Sequence, residues 1–341
     1  MIIDLPDTST AEVVRRLVRL RGDAGALALG RVLTLVIAVD GPHCEAAVTS
    51  AIQASHQHPS RIVVIVDEGR RGRSRLNGQI RVGGDAGAAE VILLHARGPV
   101  AGQPAALAVP LLLPDSPIVG WWPHRAPDDT EADPLGHLCQ RRITDSATAR
   151  NPGAELVRRA EHYRPGDSDL AWSRVTRWRA VLAAALDQAP FDPITDGIVV
   201  GAGDSPSTDL LAGWLSARLG VRIARARTPR GSGLVSVRLS RDSGDLDIYR
   251  PTGAERAALI QALHPPRRVP LIRRSDAECL ADELRHLDAD EVYHEALTTG
   301  IGRLAHTRSS AAVLERQGRI PAQRDARRVL RQGDRPAAAA G

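Results

Sequence analysis

The stretch that decides the fold is RVLTLVIAVDGPHCEAAVTSAIQASHQHPSRIVVIVD, residues 31–67. Its two ends, RVLTLVIAV (31–39) and RIVVIVD (61–67), are apolar and β-branched without polar alternation, a pattern typical of strands buried on both faces. Between them, Asp40-Gly41-Pro42 is a turn sequence, and apolar residues then recur at helical spacing up to His58-Pro59. Strand, helix and strand in this order predict a βαβ unit, and therefore an α/β protein with a largely parallel sheet.

Further elements of the same kind extend along the chain. AEVILLHA (89–96) and the residues that lead to Trp121-Trp122 predict more strands, and GIVVGAG (197–203) predicts a strand of the second half. Apolar residues spaced by three or four positions predict one long amphipathic helix over 168–189. We therefore predict two α/β domains with largely parallel or mixed sheets, joined by this helix: an N-terminal domain over 1–155, a C-terminal domain over 156–305 and a flexible Arg-rich tail over 306–341.

The composition restricts the chemistry that the chain can perform. All 45 basic residues are Arg, so a Schiff-base lysine and a P-loop lysine are both excluded. The net charge of +5 comes from residues 306–341, which hold eight Arg against three acidic residues. A nucleic-acid-binding domain concentrates its charge on the folded part, so this distribution argues against nucleic acid as a partner. RNA association through the tail is kept as an alternative.

The cysteines and the hydropathy pattern predict a cytoplasmic protein. Cys44, Cys139 and Cys279 are far apart and form no C-x-x-C motif, which suits a reducing compartment. The first residues are acidic and lack the apolar region of a signal peptide. Since no apolar run reaches the ~20 residues of a membrane helix, we expect no membrane contact.

A glycine-rich turn follows the strand at 197–203. The sequence Gly201-Ala202-Gly203-Asp204-Ser205 leads into a predicted helix, whose N-terminus could hold an anion. The dinucleotide fingerprint, however, needs a third glycine where the chain has Pro206. We therefore interpret the segment as a tight βα turn with Asp204, Ser205 or Ser207 as the helix cap, and keep an anion site as the alternative. That site would consist of Gly201, Gly203, Asp204 and Ser205.

Other reactive residues form no recognisable catalytic or metal-binding set. His137 and Cys139 lack zinc-ligand spacing, as do His43 and Cys44, and no G-x-S-x-G motif occurs. The four carboxylates in 128–133 are interpreted as a solvated loop. We therefore expect no catalytic residue, no metal site and no cofactor.

The five Trp residues are more informative, since aromatic residues make up only 3% of the chain. Trp121 and Trp122 end a predicted strand, where adjacent side chains face opposite ways. One can therefore enter the core while the other serves as an anchor for a partner, a role in which Trp is enriched. Trp172 lies off the apolar stripe that contains Trp178, and could act in the same way. Internal packing of these side chains is the alternative.

Two long motifs resemble a known family. PDSPIVGWWPHRAPDDTEADPLGHLCQRRITDSA (114–147) resembles the central signature of the OpcA proteins, in which a strand leads into WWP, an acidic loop, DPLG and a segment ending in I-x-D-S. GDSDLAWSRVTRWRAVLAAALD (166–187) resembles their second signature, D-L-A-W-S-R-x-T-x-W-R. The stretch 43–66 fits the N-terminal part of the family pattern, and the Arg-rich tail does not.

The resemblance implies a non-catalytic assembly factor or allosteric activator of glucose-6-phosphate dehydrogenase. Such proteins are typical of actinobacteria and cyanobacteria and support the oxidative pentose phosphate pathway and NADPH supply. No catalytic residue or cofactor is implied. On this basis we predict partner-binding residues at Trp121, Trp122, Asp133, Arg141, Arg142, Trp172 and Arg174. The alternative function is an α/β enzyme or sensor that binds a sugar phosphate or nucleotide at 201–207.

Overall fold

The computed structural model describes residues 1–23, 32–83, 90–321 and 323–331. Its strands are β1 (Ile2–Leu5), β2 (Leu33–Asp40), β3 (Ser60–Asp67), β4 (Arg75–Val82), β5 (Glu90–Arg97), β6 (Ile118–Trp122), β7 (Arg141–Thr144), β8 (Asp167–Asp169), β9 (Asp196–Ala202), β10 (Ile223–Thr228), β11 (Leu234–Ser240), β12 (Leu246–Tyr249), β13 (Arg256–Ile260), β14 (Arg267–Pro270) and β15 (Ala305–Ser310). Its α-helices are α1 (Thr10–Asp23), α2 (Cys44–Ser55), α3 (Pro104–Ala108), α4 (Pro152–Glu161), α5 (Leu170–Ser173), α6 (Thr176–Leu186), α7 (Pro206–Leu219), α8 (Asp276–Arg285), α9 (Glu291–His294), α10 (Ala311–Arg316) and α11 (Gln323–Arg331). Within this described part of the chain, no helix has both the length and the apolar character needed to cross a membrane.

The chain forms two compact units that interleave in sequence. Unit 1 contains the described residues of Met1–Ala149 together with His162–Ser173 and Ser275–Asp290. Unit 2 contains Arg150–Glu161, Arg174–Arg274 and the described residues from Glu291 onward. The predicted domains were contiguous, with boundaries at residues 155 and 305, whereas each unit takes segments from several parts of the chain.

The sheet of unit 1 contains the predicted βαβ unit. Its strand order is β1-β4-β5-β3-β2-β6-β7-β8, and only the pairings made by β4 are antiparallel. From β2, the strands β3 and β5 follow toward one side of the sheet. From β6, the strands β7 and β8 follow toward the other side. The order of strands therefore reverses between β2 and β6, which is a topological switch point. The prediction of two buried strands joined by a helix is confirmed by β2, α2 and β3.

Both faces of this sheet are covered, as its unalternating strands require. Leu35 and Ile37 of β2 pack in a core with residues of α2 and α8. Val36, which points the other way, packs in a second core with residues of α1 and α3. Burial on both sides of one strand explains why polar residues do not alternate with apolar ones in 33–39.

Unit 2 contains a mixed sheet with the order β14-β13-β12-β11-β9-β10-β15. Strands β9, β10 and β15 are parallel, and the remaining pairings are antiparallel. Helix α7 follows β9 as predicted; it is capped by the side chain of Ser205 and ends at Gly220, whose φ of 68° is the left-handed conformation that glycine adopts readily. The predicted α/β class with mixed sheets is confirmed.

Two predictions about local structure are corrected. The helix predicted over 168–189 is divided, because residues 167–169 pair with β7 as strand β8 and helical structure begins only at Leu170. A flexible tail was predicted from residue 306 onward, but β15, α10 and α11 lie in this region, and β15 pairs with β10. The high Arg content hid two apolar positions, Leu314 and Ile320, which pack against β9 and β10. Residues 332–341 lie outside the described part of the chain.

Candidate functional site

The first Trp motif lies at the switch point of unit 1, where β6 runs beside β2. Trp121 is 2% exposed and packs in the core of α2 and α8, whereas Trp122 is 4% exposed and packs in the opposite core. A Cβ atom on Gly120 would lie 2.9 Å from Cη2 of Trp122 and 2.9 Å from Sγ of Cys139. Glycine is therefore needed at position 120, because any larger side chain would overlap the indole ring of Trp122 and the thiol of Cys139. Both indoles are internal, which agrees with internal packing, the alternative kept for these residues, and not with an exposed anchor.

The loop that follows is closed by its DPLG sequence. The side chain of Asp133 accepts hydrogen bonds from the backbone N–H groups of Leu135 (2.9 Å) and Gly136 (3.3 Å). Leu135 is fully buried in the same core as Trp122. A Cβ atom on Gly136 would lie only 1.6 Å from the carbonyl oxygen of Thr130. Asp133 thus supplies a capping carboxylate, Leu135 supplies an apolar anchor, and Gly136 allows two backbone segments to approach closely.

Arg142 supports this loop from inside the unit. Its Nε donates to Oδ1 of Asp167 at 2.6 Å, and its two terminal nitrogens donate to the carbonyl oxygens of Cys139 (2.9 Å) and Pro165 (2.6 Å). Thr130 of the loop donates to the same Asp167 oxygen at 3.0 Å. An ion pair with this many contacts fixes the loop against β8, and each of the three guanidinium nitrogens of Arg142 already has an internal acceptor.

The second motif meets a carboxylate from a distant part of the chain. Glu283 of α8 accepts from Arg141 (Nη2 to Oε2, 2.5 Å), from Ser168 (Oγ to Oε2, 2.6 Å) and from the hydroxyl of Ser173. Arg141 also donates to the carbonyl oxygen of Asp288 at 2.7 Å. We call Arg141, Ser168, Ser173 and Glu283 the Glu283 cluster. Because its two charged groups compensate each other and accept or donate further hydrogen bonds, the pair can be buried.

The remaining residues of this motif are also held internally. Asp169 is fully buried and accepts from Thr144 Oγ1 (2.7 Å), Ser146 N (2.9 Å) and Ser146 Oγ (2.5 Å). Trp172 is 1% exposed, and its indole Nε1 donates to Oδ2 of Asp290 at 2.8 Å. Asp169 and Trp172 therefore join β7, β8 and the end of the 275–290 segment within unit 1.

Most of the predicted partner-binding residues thus have internal roles. Five of them are buried: Trp121, Trp122, Arg141, Arg142 and Trp172. Asp133 is half-buried and caps a turn, and Arg174 is half-buried. Direct contact of the five buried side chains with another protein would require this conformation to change. Their role in partner binding stays a prediction, and positioning of exposed neighbours is the way in which they can contribute.

Sequence reasoning missed Glu283 and Asp290. Their partners Arg141 and Trp172 lie 142 and 118 residues away in the chain, a distance over which no sequence pattern operates. One signal was present: in α8, Glu283 stands beside the buried Leu284 on the apolar side of an amphipathic helix. A carboxylate on that side indicates a buried cation or hydroxyl partner.

A small polar cluster lies at the carboxyl end of β2. His43 forms a hydrogen bond with Asp40 through Nδ1, and its ring meets that of His124 edge-on with centroids 4.0 Å apart. Burial and the charge of His43 lower the pKa of His124. Burial acts to raise the pKa of Asp40, but the hydrogen bond and charge of His43 outweigh it and keep that pKa below its ordinary value. In the chain as far as it is described, no group of three His, Cys, Asp or Glu could hold a metal ion.

The polar side chains of the glycine-rich turn in unit 2 form hydrogen bonds with neighbouring backbone N–H groups. Ser205 Oγ accepts from the backbone N–H of Thr208 at 3.3 Å, and Asp204 Oδ1 accepts from Gly231 N at 3.3 Å. A Cβ atom on Gly201 would lie 2.5 Å from Thr208 Oγ1, so this glycine serves strand and helix packing. These contacts favour the tight βα turn over an anion site built from Gly201, Gly203, Asp204 and Ser205, which stays a prediction.

The thiols of Cys44 and Cys139 in unit 1 are not activated. Burial raises the pKa of Cys44 to about 11 and that of Cys139 to about 12. Both are therefore protonated at neutral pH, and a protonated thiol is a poor nucleophile and metal ligand.

Comparison with known proteins places the chain in a family. Among curated proteins, none matches it significantly. A solved structure described as "Trehalose-6-phosphate from E. coli bound with UDP-2-fluoro glucose" is 10% identical and aligns over 58% of this chain and 65% of its own length, with a TM-score of 0.22 that supports no argument. Residues 51–161 match the model of the glucose-6-phosphate dehydrogenase subunit N-terminal domain, and residues 165–297 match that of the C-terminal domain. Both models describe OpcA proteins, and the chain therefore belongs to the OpcA family.

Proposed function

We propose that the chain is a non-catalytic cytoplasmic protein that binds glucose-6-phosphate dehydrogenase and promotes its active oligomeric form. The observation that carries this proposal is the match of residues 51–161 and 165–297, in order, to two domains described as parts of a glucose-6-phosphate dehydrogenase subunit. Such a protein activates an enzyme by binding its active state more tightly than its other states.

The internal use of the motif residues supports a binding role. In both Trp motifs the buried carboxylates and guanidinium groups contact one another, hydroxyl groups or the backbone. The Glu283 cluster is the clearest case, since its carboxylate has three donors from the same unit. Residues used in this way maintain a shape, and shape is what a partner protein recognises.

The loop 123–137 is the surface that we propose for this contact. It presents the exposed side chains of Arg125, Asp128 and His137, while Trp122 and Arg142 hold it from inside. A loop that is already ordered loses little conformational entropy when it binds, so exposed charges on it are well placed for recognition. The buried residues of the motif would then act on binding by fixing the position of this loop.

The experiment compares co-purification and enzyme activation for matched variants. We expect the triple variant Arg125→Ala, Asp128→Ala, His137→Ala to keep its fold and to bind the dehydrogenase about tenfold or more weakly. Arg19→Ala, which removes an exposed arginine from α1, is the control and should bind as the unmodified chain does.

Two outcomes would contradict the proposal. If the unmodified chain does not associate with the dehydrogenase at micromolar concentration, the assembly role fails. If the purified chain alone turns over a small substrate, the non-catalytic assignment fails. Full binding by the triple variant would reject the loop 123–137 as the contact surface while leaving the assembly role intact.

A further inference from the structure

The buried arginines of this protein differ in how their charge is compensated. Seven arginines of the described chain are almost completely buried: Arg61, Arg141, Arg142, Arg159, Arg225, Arg241 and Arg250. Five of them form close ion pairs: Arg61–Glu90, Arg141–Glu283, Arg142–Asp167, Arg159–Glu155 and Arg225–Asp209. The pKa of Asp192 is lowered first by the hydrogen bonds that its carboxylate accepts from Ser243 and then by the charge of Arg241, the sixth of these arginines. Arg250 is the remaining one.

Arg250 is buried without a carboxylate partner among the described residues. It is 6% exposed, and its terminal nitrogens donate to two neutral carbonyl oxygens, those of Leu271 (2.6 Å) and Leu234 (3.1 Å). Its guanidinium carbon lies 5.3 Å from the ring centroid of Trp178. The charged group that acts on it is a second cation, Arg273, and burial together with Arg273 lowers the pKa of Arg250 to about 10. A buried charge in this situation is costly until an anion compensates it.

The second guanidinium is held at the same turn of unit 2. Arg273 is exposed and donates from Nη2 to the carbonyl oxygen of Ser232 at 2.7 Å. It lies over Gly233, where a Cβ atom would be 3.0 Å from Nη1 and 3.1 Å from Nη2. Leu234, whose carbonyl Arg250 binds, is the next residue. One arginine thus approaches the turn from inside the unit and the other from its surface.

The place of this pair in the sheet suits a small ligand. Leu234 pairs with Gly201 at the carboxyl end of β9, and the backbone N–H of Arg250 donates to the carbonyl oxygen of Val235 at 2.8 Å. The two arginines therefore lie at the carboxyl end of β9. In α/β sheets, ligands commonly bind outside the carboxyl ends of the strands. The neighbouring glycine-rich turn does not compete for such a ligand, since its cap and its carboxylate have internal partners.

We propose that Arg250 and Arg273 form a binding site for the phosphate group of a small phosphorylated metabolite. Two guanidinium groups match the double negative charge of a phosphomonoester, and their planar N–H donors match its oxygens in paired hydrogen bonds. The ligand supplies the negative charge that Arg250 lacks, and it reaches the pair from the exposed side of Arg273. Low polarity around Arg250 strengthens the attraction relative to a surface site.

The test is titration of the full chain with inorganic phosphate and with glycerol 3-phosphate at constant ionic strength, followed by calorimetry and thermal unfolding. We expect saturable binding of both, a melting temperature that rises with ligand concentration, and a loss of affinity of about tenfold or more in Arg273→Ala. Arg250→Gln should lose affinity similarly if circular dichroism shows that it folds. If it does not fold, the surface variant Arg273→Ala decides alone.

Arg222→Ala is the matched control, because Arg222 is an exposed arginine of the same unit whose carbonyl oxygen binds Gly197 N near the start of β9. Its affinity for phosphate should be unchanged. General stabilisation by phosphate would raise the melting temperature of every variant equally, and that result would overturn the site. Absence of saturable binding, or equal affinity of Arg273→Ala and the unmodified chain, would overturn it as well. Binding of phosphate without glycerol 3-phosphate would reject the phosphorylated metabolite as ligand.

Discussion

Replacing Glu283 by Gln tests whether the second motif is structural. In the folded chain Arg141 Nη2 lies 2.5 Å from Glu283 Oε2, and the two side chains are only 3% and 5% exposed. Removing one charge of such a pair leaves the other buried without compensation, which typically costs about 3–5 kcal/mol. At roughly 2–4 °C per kcal/mol for a unit of this size, the melting temperature should fall by about 10 °C. Urea unfolding followed by Trp fluorescence measures the loss in free energy of unfolding. Trp121, Trp122 and Trp172 report on unit 1, and Trp178 and Trp214 report on unit 2.

A surface pair in the same unit provides the control. Glu45 forms an ion pair of 2.8 Å with Arg81, but its side chain is 70% exposed, so Glu45→Gln should cost less than about 1 kcal/mol. Combining Arg141→Met with Glu283→Met should recover part of the stability lost in Glu283→Gln, since no charge then remains buried. A free energy of unfolding for Glu283→Gln within about 1 kcal/mol of that of the unmodified chain would show that the buried pair is not needed for stability.

Two further substitutions and one labelling experiment probe the same unit. Gly136→Ala should destabilise it by about 3 kcal/mol, the upper end for overpacking, because the new Cβ would lie 1.6 Å from the carbonyl oxygen of Thr130; an unchanged urea midpoint would show that the loop adapts. Trp172→Phe should cost about 1.5–3 kcal/mol through loss of the hydrogen bond to the Asp290 carboxylate, and a neutral effect in urea unfolding would contradict that bond. Cys139, whose pKa burial raises to about 12, should react with iodoacetamide at pH 8 only after unfolding, as mass spectrometry of the labelled chain would show; rapid labelling of the folded chain would disprove its protection.

Local sequence signals predicted the elements that depend on neighbouring residues. The strands predicted at 31–39 and 61–67 are observed at 33–40 and 60–67, and the helix predicted after the glycine-rich turn is observed at 206–219. These predictions succeed because periodicity, turns and caps all lie within a few residues of each element. The division of the 168–189 helix was not expected, since pairing of Asp167–Asp169 with β7 overrides a strongly periodic pattern. Tertiary pairing of this kind leaves no trace in a short window of sequence.

The sequence drew attention to the residues of the two Trp motifs, but it did not show whether their side chains are buried or at the surface. Adjacent Trp residues at a strand end must face opposite ways, and from the sequence both one exposed ring and two buried rings were open. Here both rings are buried, because the sheet is covered on both faces at β6 and Gly120 makes room for Trp122. Arg141 and Arg142 were expected at the surface, but they begin a buried strand and pair with Glu283 and Asp167. The compensating carboxylates are distant in the chain, so only the fold reveals them.

The oligomeric state of the dehydrogenase decides whether the chain acts as an assembly factor. Light scattering coupled to size-exclusion chromatography would give the mass of glucose-6-phosphate dehydrogenase with and without this chain, while an activity assay is run on the same fractions. We expect co-elution of the two proteins, a larger share of the higher oligomer and a matching rise in activity. Separate elution of the two proteins, with dehydrogenase mass and activity unchanged at micromolar concentrations of the chain, would contradict the assembly role.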